Sequence, residues 1–351
     1  MHAENTAPSL LGGERMIGNE ALRAQLQQEI LQAKLSHAYL LEGGRGMGKH
    51  LLALEICAAI SCLEKGEGTL PCGHCRNCEK ILNGKSPDIH LIGKNGKASI
   101  GIDDVRFLRA DVLVLPNDLE HRFFIIEDAQ DMTVQAQNAL LLTLEEPPPH
   151  VVFLLLCENS ANILETIRSR APSRRLCPVP DHQLKAYLTR TQRAFTSLAE
   201  EEAEELICMA AGSVGQALAL LDGRTRKPLV ERRHFALQVV QHCLHSTRRD
   251  TAESMELLSS FPSVREDVVA TLSLMQEVLR DLILLKKSDS APLLFYADRA
   301  PAQQLSQSAP MAALHSLLLT TEYTRTRILR NANVRLALSE LLLCDDPIAR
   351  W

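Results

Sequence analysis

The chain has 351 residues, 46% of them apolar, 23% charged and only 4% aromatic, with a formal net charge of -5. That length allows two or three domains. The acidic balance excludes a chain that binds nucleic acid over its whole surface, and no run of about 18 apolar residues is present to span a membrane. The first residues lack an apolar signal core, and ten cysteines, four of them clustered, fit a reducing compartment rather than a disulfide framework. A cytoplasmic protein is expected.

Residues 1 to about 15 read as a mobile lead-in. A helix follows Ile17-Gly18-Asn19-Glu20, with Leu22, Leu26, Ile30 and Leu31 on one face. Ser36 to Leu41 is a short buried strand that runs into Gly43-Gly44-Arg45-Gly46-Met47-Gly48-Lys49-His50, and a helix is expected from Gly48 to Ala59. Strand, glycine-rich turn and helix are the context a phosphate loop requires. Gly43, Gly46 and Gly48 let backbone N–H groups turn inward, the helix start adds positive potential, and Lys49 reaches the outer phosphates. His50 stands where Ser or Thr would hold Mg²⁺. The plainer alternative is an ordinary glycine-rich β–α turn.

Cys62, Cys72, Cys75 and Cys78 follow. Four thiols at this spacing suit a tetrahedral ion, and four protein ligands leave no open position, so a structural zinc is expected, gathered by a tight turn at 72–78. An iron–sulfur cluster, a disulfide pair or four unrelated thiols are the alternatives. His74 either replaces a thiol or is a solvated turn residue.

Asp88 to Ile92 is a strand, Lys94 to Lys97 a hairpin-like turn, and Ile102 to Arg106 opens a helix with Asp as its cap. Phe123 to Ile126 is a buried strand ending in Glu127-Asp128. Such carboxylates either orient Mg²⁺ and an attacking water or are simply solvated at a strand end. Thr133 caps a helix through Ala136, Leu140 and Leu144, which Pro147-Pro148-Pro149 ends. Val151 to Cys157 reads as a strand of a parallel sheet, and Asn159 behind it is a candidate to touch a γ-phosphate or water. A short helix, Leu164 to Arg168, leads to a last strand near Arg174. The alternation predicts a three-layer α/β domain of about 175 residues. Val179 to Asp222 reads as a second, helical domain, with Asp181 capping one helix, Glu200 to Ala211 another, and Gly212-Ser213-Val214-Gly215 opening a third. The glutamates at 200–205 are a solvated face. From Arg224 onward the pattern is helical. Val268, Leu272, Met275, Leu279 and Leu282 form an amphipathic stripe that belongs to a core, and the last helical segment runs from Leu314 to Leu343.

These residues resemble the clamp-loader subunits of bacterial DNA polymerase III, members of the AAA+ family. The resemblance covers nearly the whole chain. It rests on Ser36-His37-Ala38-Tyr39-Leu40 before the loop, the four-cysteine insertion, Asn138-Ala139-Leu140-Leu141 with Leu144-Glu145-Glu146-Pro147-Pro148, Ser169-Arg170 (with Ala171 where the family has Cys), and Asn331-Ala332-Asn333 before a leucine-rich helix. It implies an AAA+ P-loop-type α/β/α domain with a zinc module over 1–176, a small helical lid over 177–223 and an all-α collar over 224–351. Three departures separate the chain from the family's ATPase subunits, gamma or tau. These are His50, the order Glu127-Asp128, and Gly215 where a sensor arginine would stand. The resemblance therefore implies a subunit that holds ATP or ADP weakly or without hydrolysis, through Gly43, Gly46, Gly48, Lys49, His50, Glu127, Asp128 and Asn159. Arg170 is implied as an arginine finger acting in trans on a neighbour's ATP, ahead of Arg168, Arg174 and Arg175. The implied partners are gamma/tau and delta subunits, the sliding clamp and primer–template DNA, with no membrane. The competing readings are a gamma/tau-type ATPase and a free-standing zinc-binding nucleic-acid protein, the latter with salt-sensitive binding.

Overall fold

The computed structural model describes residues 11–65, 70–94, 96–245 and 251–343. The first ten residues of the expected lead-in, and Asn95 of the expected turn, lie outside them. The chain divides into two compact units. One runs to Gln192 and includes Gly212–Gln216; the other comprises Arg193–Ala211 and the chain from Ala217 on.

The first unit is built on five parallel strands: β1 (Ala38–Glu42), β2 (Ile89–Ile92), β3 (Arg122–Ile126), β4 (Val151–Cys157) and β5 (Ser173–Arg175). Their order across the sheet is β2-β3-β4-β1-β5. The connecting helices are α1 (Glu20–Leu31), α2 (Lys49–Ile60), α3 (Arg76–Leu82), α4 (Ile102–Asp111), α5 (Val134–Glu145) and α6 (Glu165–Arg168), with α7 (Asp181–Thr191) after the last strand. Side chains alternate across a strand, and here the alternation sorts the helices into layers. Tyr39, Leu41, Phe123, Ile125, Leu154 and Leu156 face α1–α3 in one core, while Leu40, Phe124, Ile126, Phe153 and Leu155 face α4–α6 in another. With both faces covered, every residue of β3 and β4 is buried, which is why Phe123–Ile126 and Val151–Cys157 read as unbroken apolar runs.

Three local expectations are corrected. Helix α4 is not capped by an Asp at its start. Gly101 is the N-cap, and Asp104, inside the first turn, reaches back to accept the Gly101 N–H at 3.0 Å. Asp181 is the first helical residue of α7 rather than its cap, which is Pro180; its charge still complements the helix dipole. Leu31 is exposed, because the buried face of α1 runs through Arg23, Leu26, Gln27 and Ile30, and the next residue falls about 100° away.

The second unit is helical: α8 (Arg193–Thr196), α9 (Glu200–Ala210), most of α10 (Val214–Leu220), α11 (Gly223–His245), α12 (Thr251–Ser260), α13 (Arg265–Leu285), α14 (Arg299–Ser308), α15 (Met311–Leu329) and α16 (Val334–Leu343). The predicted stripe Val268, Leu272, Met275, Leu279 and Leu282 is fully buried on α13, which packs against α11, α14 and α15. The expected last helical segment breaks at Asn331, whose φ is +67°.

Asp88, just ahead of β2, is buried. It accepts the backbone N–H groups of Asn117 at 2.6 Å, Asp118 at 2.8 Å and Leu119 at 2.9 Å, fixing the approach to β3. Burial pushes its carboxyl up, but these donors outweigh it and hold the group below its ordinary value. Its stabilising effect is therefore complete above about pH 4 and is lost as pH falls through the depressed folded value. Asp88→Ala should cost about 3 kcal/mol in urea unfolding at pH 7, because it strands buried donors. That difference should shrink at strongly acidic pH.

Candidate phosphate loop and metal centre

In an open parallel sheet, ligands bind beyond the carboxyl ends of the strands, where the connections change direction. The β4–β5 connection crosses over β1, so that point lies at the ends of β1 and β4. The glycine-rich turn follows β1, and the Gly43 N–H donates to Cys157 O at the end of β4, at 3.1 Å. Gly46 and Gly48 have φ of +74° and +88°, which glycine alone adopts without cost, and Gly48 is the N-cap of α2.

The loop is folded on itself. Lys49 Nζ donates to Gly43 O at 2.6 Å and to Gly44 O at 2.9 Å, and the Gly44 N–H points to Met47 Sδ at 3.2 Å. Burial lowers the pKa of Lys49, while Glu158, Cys157 and Asp128 raise it. The Gly212–Gln216 segment lies against the loop. Gly215 N–H donates to Gly46 O at 2.9 Å, and Ser213 Oγ donates to Arg45 O at 2.9 Å. The backbones cross so closely that a Cβ on Gly215 would lie 2.8 Å from Gly46 Cα, and a Cβ on Gly46 would lie 2.5 Å from Ser213 Oγ. No side chain fits at position 215 without moving the loop.

The two carboxylates after β3 part company. Glu127 Oε1 lies 2.8 Å from His50 Nδ1, within ion-pair distance, although His50 Nδ1 has no aligned hydrogen-bond partner. Asp128, in the left-handed region at φ +48°, is 3.6 Å from Lys94 Nζ, which also pairs with Asp131. Mg²⁺ requires near-octahedral oxygen ligands. An imidazole facing the nearer carboxylate does not fit that ion. Asn159 is exposed, and its Oδ1 accepts the Ala161 N–H at 2.8 Å as the cap of the turn Ser160–Asn162. Arg170 is bound to Glu145 at 2.8 Å and to Thr166 O at 2.9 Å, while Arg174 is paired with Glu29 at 2.6 Å. Arg168 and Arg175 are exposed.

A region the sequence reading passed over adjoins the loop. Met16, Ile17, Gly18, Arg23, Tyr187 and Arg190 line a cleft of about 460 Å³, and Met16 lies against Gly48. Its walls come from the chain ahead of α1 and from α7, so no local pattern announces it.

The four thiols do converge: the sulfurs of Cys62, Cys72, Cys75 and Cys78 lie within 4.8 Å of one another. Cys72 and Cys75 precede α3, and Cys78 sits in its first turn, so the expected turn passes directly into a helix. The Cys72 and Cys78 sulfurs are 3.9 Å apart. A tetrahedral ion with metal–sulfur bonds of about 2.3 Å sets its ligands about 3.8 Å apart, whereas a disulfide needs about 2.05 Å. All four cysteines are free, which removes the disulfide reading. Burial pushes the Cys75 thiol up, but hydrogen bonds from the backbone and from the Cys78 and Cys72 thiols outweigh it and bring it down to about 7. Burial raises Cys78 well above its ordinary value. Four sulfurs gathered at this spacing are a donor set suited to a thiophilic cation. His74 is exposed, with Nε2 2.8 Å from Glu64 and Nδ1 3.0 Å from Cys72 O. It is a turn residue whose ring nitrogens both have protein neighbours, although Glu64, Cys72 and His74 also lie within one ion's reach.

The family model described as "DNA polymerase III, delta subunit" matches residues 18–179. The tau subunit of DNA polymerase III from Bacillus subtilis (strain 168) is 34% identical over 210 residues, covering 60% of this chain and 37% of that protein. The delta' subunit from the same organism is 38% identical over 145 residues, covering 41% of this chain and 43% of that protein. The chain thus spans less than half the length of either relative. A solved gamma subunit-related protein from Thermotoga maritima superposes with a TM-score of 0.42 at 17% identity, over 91% of this chain and 97% of that one.

The crossing of Gly46 and Gly215 is open to test. Gly215→Val should cost about 1–3 kcal/mol, because an added side chain must push backbone aside. Urea unfolding reads that loss, and amide exchange at 43–48 should quicken relative to exchange in β3.

Proposed function

We propose that the chain is a clamp-loader subunit of the delta-prime type, a reading supported by the match of residues 18–179 to the family model described as "DNA polymerase III, delta subunit". On this reading it helps place a sliding clamp on primed DNA and leaves ATP hydrolysis to gamma or tau neighbours. Residues 1–176 are the AAA+ domain with its zinc module at 62–78, 177–223 the lid, and 224–351 a helical collar for assembly with gamma/tau and delta. The clamp and primer–template DNA are partners of the assembled complex, which works in the cytoplasm.

The observation that carries this reading is the ring of His50 set against Glu127 at 2.8 Å. Phosphoryl transfer depends on a metal ion and fixed cations at the charge that develops. Here the metal's hydroxyl ligand is replaced by an imidazole, one carboxylate faces that imidazole, and the sensor arginine is replaced by a glycine. Nucleotide held at Gly43–Lys49 would first have to draw Lys49 off the Gly43 and Gly44 carbonyls, which favours weak binding without turnover. Arg170, exchanging Glu145 for a neighbour's γ-phosphate, is the group offered in trans. The four thiols hold zinc as a closed, structural site.

The second reading, a gamma/tau-type ATPase, is favoured by one finding: the match to tau extends over 210 residues, against 145 for delta'. Turnover by the purified chain alone would decide for it.

The role of Arg170 is tested by reconstituting the chain with gamma or tau, delta and the clamp. Arg170→Ala should lower hydrolysis at the boundary it serves by about 10³-fold, seen as a partial fall in DNA-stimulated ATPase and in clamp loading. Unchanged ATPase would remove the role.

A further inference from the structure

We propose that Asn77 is a positioning residue of the four-thiol metal centre, acting by holding Cys62 in place. The proposal rests on the reading of these thiols as a metal site. Three of the ligands, Cys72, Cys75 and Cys78, belong to the knuckle that opens α3. The fourth, Cys62, comes from just beyond the end of α2, and among the described residues the next regular element after it begins at Arg76. A complete ligand set therefore depends on something that joins the end of α2 to the knuckle.

Asn77 makes that joint. It lies between Cys75 and Cys78, is only 8% exposed, and its Nδ2 donates to Ser61 O at 2.9 Å. The Ser61 carbonyl belongs to the same planar peptide unit as the nitrogen of Cys62. Holding the oxygen thus fixes the plane from which the Cys62 side chain departs. The other hold on that peptide is long, with the Cys62 N–H 3.4 Å from Ala59 O. The knuckle's own ligands have more local support: the Cys75 N–H donates to Cys72 Sγ at 3.3 Å, and the Cys75 carbonyl accepts the Glu79 N–H within α3 at 3.0 Å. Cys78 Sγ reaches Ala58 O at 3.7 Å and the Leu63 backbone bonds the Cys75 thiol, but it is Asn77 that grips the peptide carrying the Cys62 nitrogen. Groups beyond the ligands that orient them are worth about 10–100-fold in metal affinity.

The full chain is loaded with Co²⁺ or Zn²⁺, with Cys62→Ser as the reference for three-thiolate coordination. Asn77→Ala should lower Zn²⁺ affinity about 10–100-fold in competition with a chromophoric chelator. It should also move the Co²⁺ visible spectrum from the four-thiolate form toward that of Cys62→Ser. Asn77→Asp keeps the shape but turns an acceptor toward Ser61 O, and should behave alike. Asn77→Gln, which keeps the donor, should recover part of the affinity. A residue that merely ended α2 would lower thermal stability without changing the cobalt ligand set. If Asn77→Ala and Asn77→Asp keep the four-thiolate spectrum and the affinity of the unaltered chain, the proposal is overturned and the metal reading stands. If the unaltered chain takes up neither ion stoichiometrically, both fall.

Discussion

A carboxylate with no exposed surface sits in the middle of the helix that follows the phosphate loop. Glu55 is fully buried on α2, and an unpaired charge there would cost several kcal/mol. Burial raises its pKa, and Arg15 and Arg23 offset that rise only in part. Arg15 reaches it at 2.8 Å. Arg23 is itself buried and donates to Leu11 O at 2.5 Å and Gly13 O at 2.8 Å. The need to answer one buried charge thus wraps residues 11–18 over α2. The wrap sets Met16 against Gly48 and the Arg15 guanidinium against Gly73 of the knuckle. The phosphate loop, the cleft beside it and the thiol cluster share one support.

That support underlies the glycine-rich loop. The glycines, the helix start and Lys49 are all in place, yet the lysine is spent on the loop's own carbonyls and His50 faces Glu127. Gly215 belongs to the same pattern. Any side chain at that position would need room that the Gly46 backbone occupies. In the thiol cluster four sulfur donors lie within 4.8 Å of one another, a spacing at which they could hold a metal ion.

Much of the first unit was legible in the residues. The apolar run Val151–Cys157, the glycine pattern after β1 and the thiol spacing each carry a period or a local geometry that permits few solutions. The stripe on α13 was legible for the same reason. Cap positions were less so. At α4 several residues compete for the first turn's N–H groups, and the choice fell on Gly101 with Asp104 reaching back. Asp88 read only as the start of a strand, because its partners at 117–119 are set by where β3 enters the sheet.

From the sequence alone followed the alternating α/β order, the glycine-rich turn between strand and helix, the four-cysteine donor set and an imidazole rather than a hydroxyl at position 50. Each is a property of near neighbours in the chain, where spacing and side-chain chemistry are sufficient. Tertiary structure alone decided that His50 faces Glu127, that Gly215 crosses Gly46, that Arg170 rests on Glu145 and that Asn77 grips the peptide of Cys62. These are meetings of distant residues, settled by strand order and helix packing, and two residues far apart in a chain carry no mark of where the sheet will bring them.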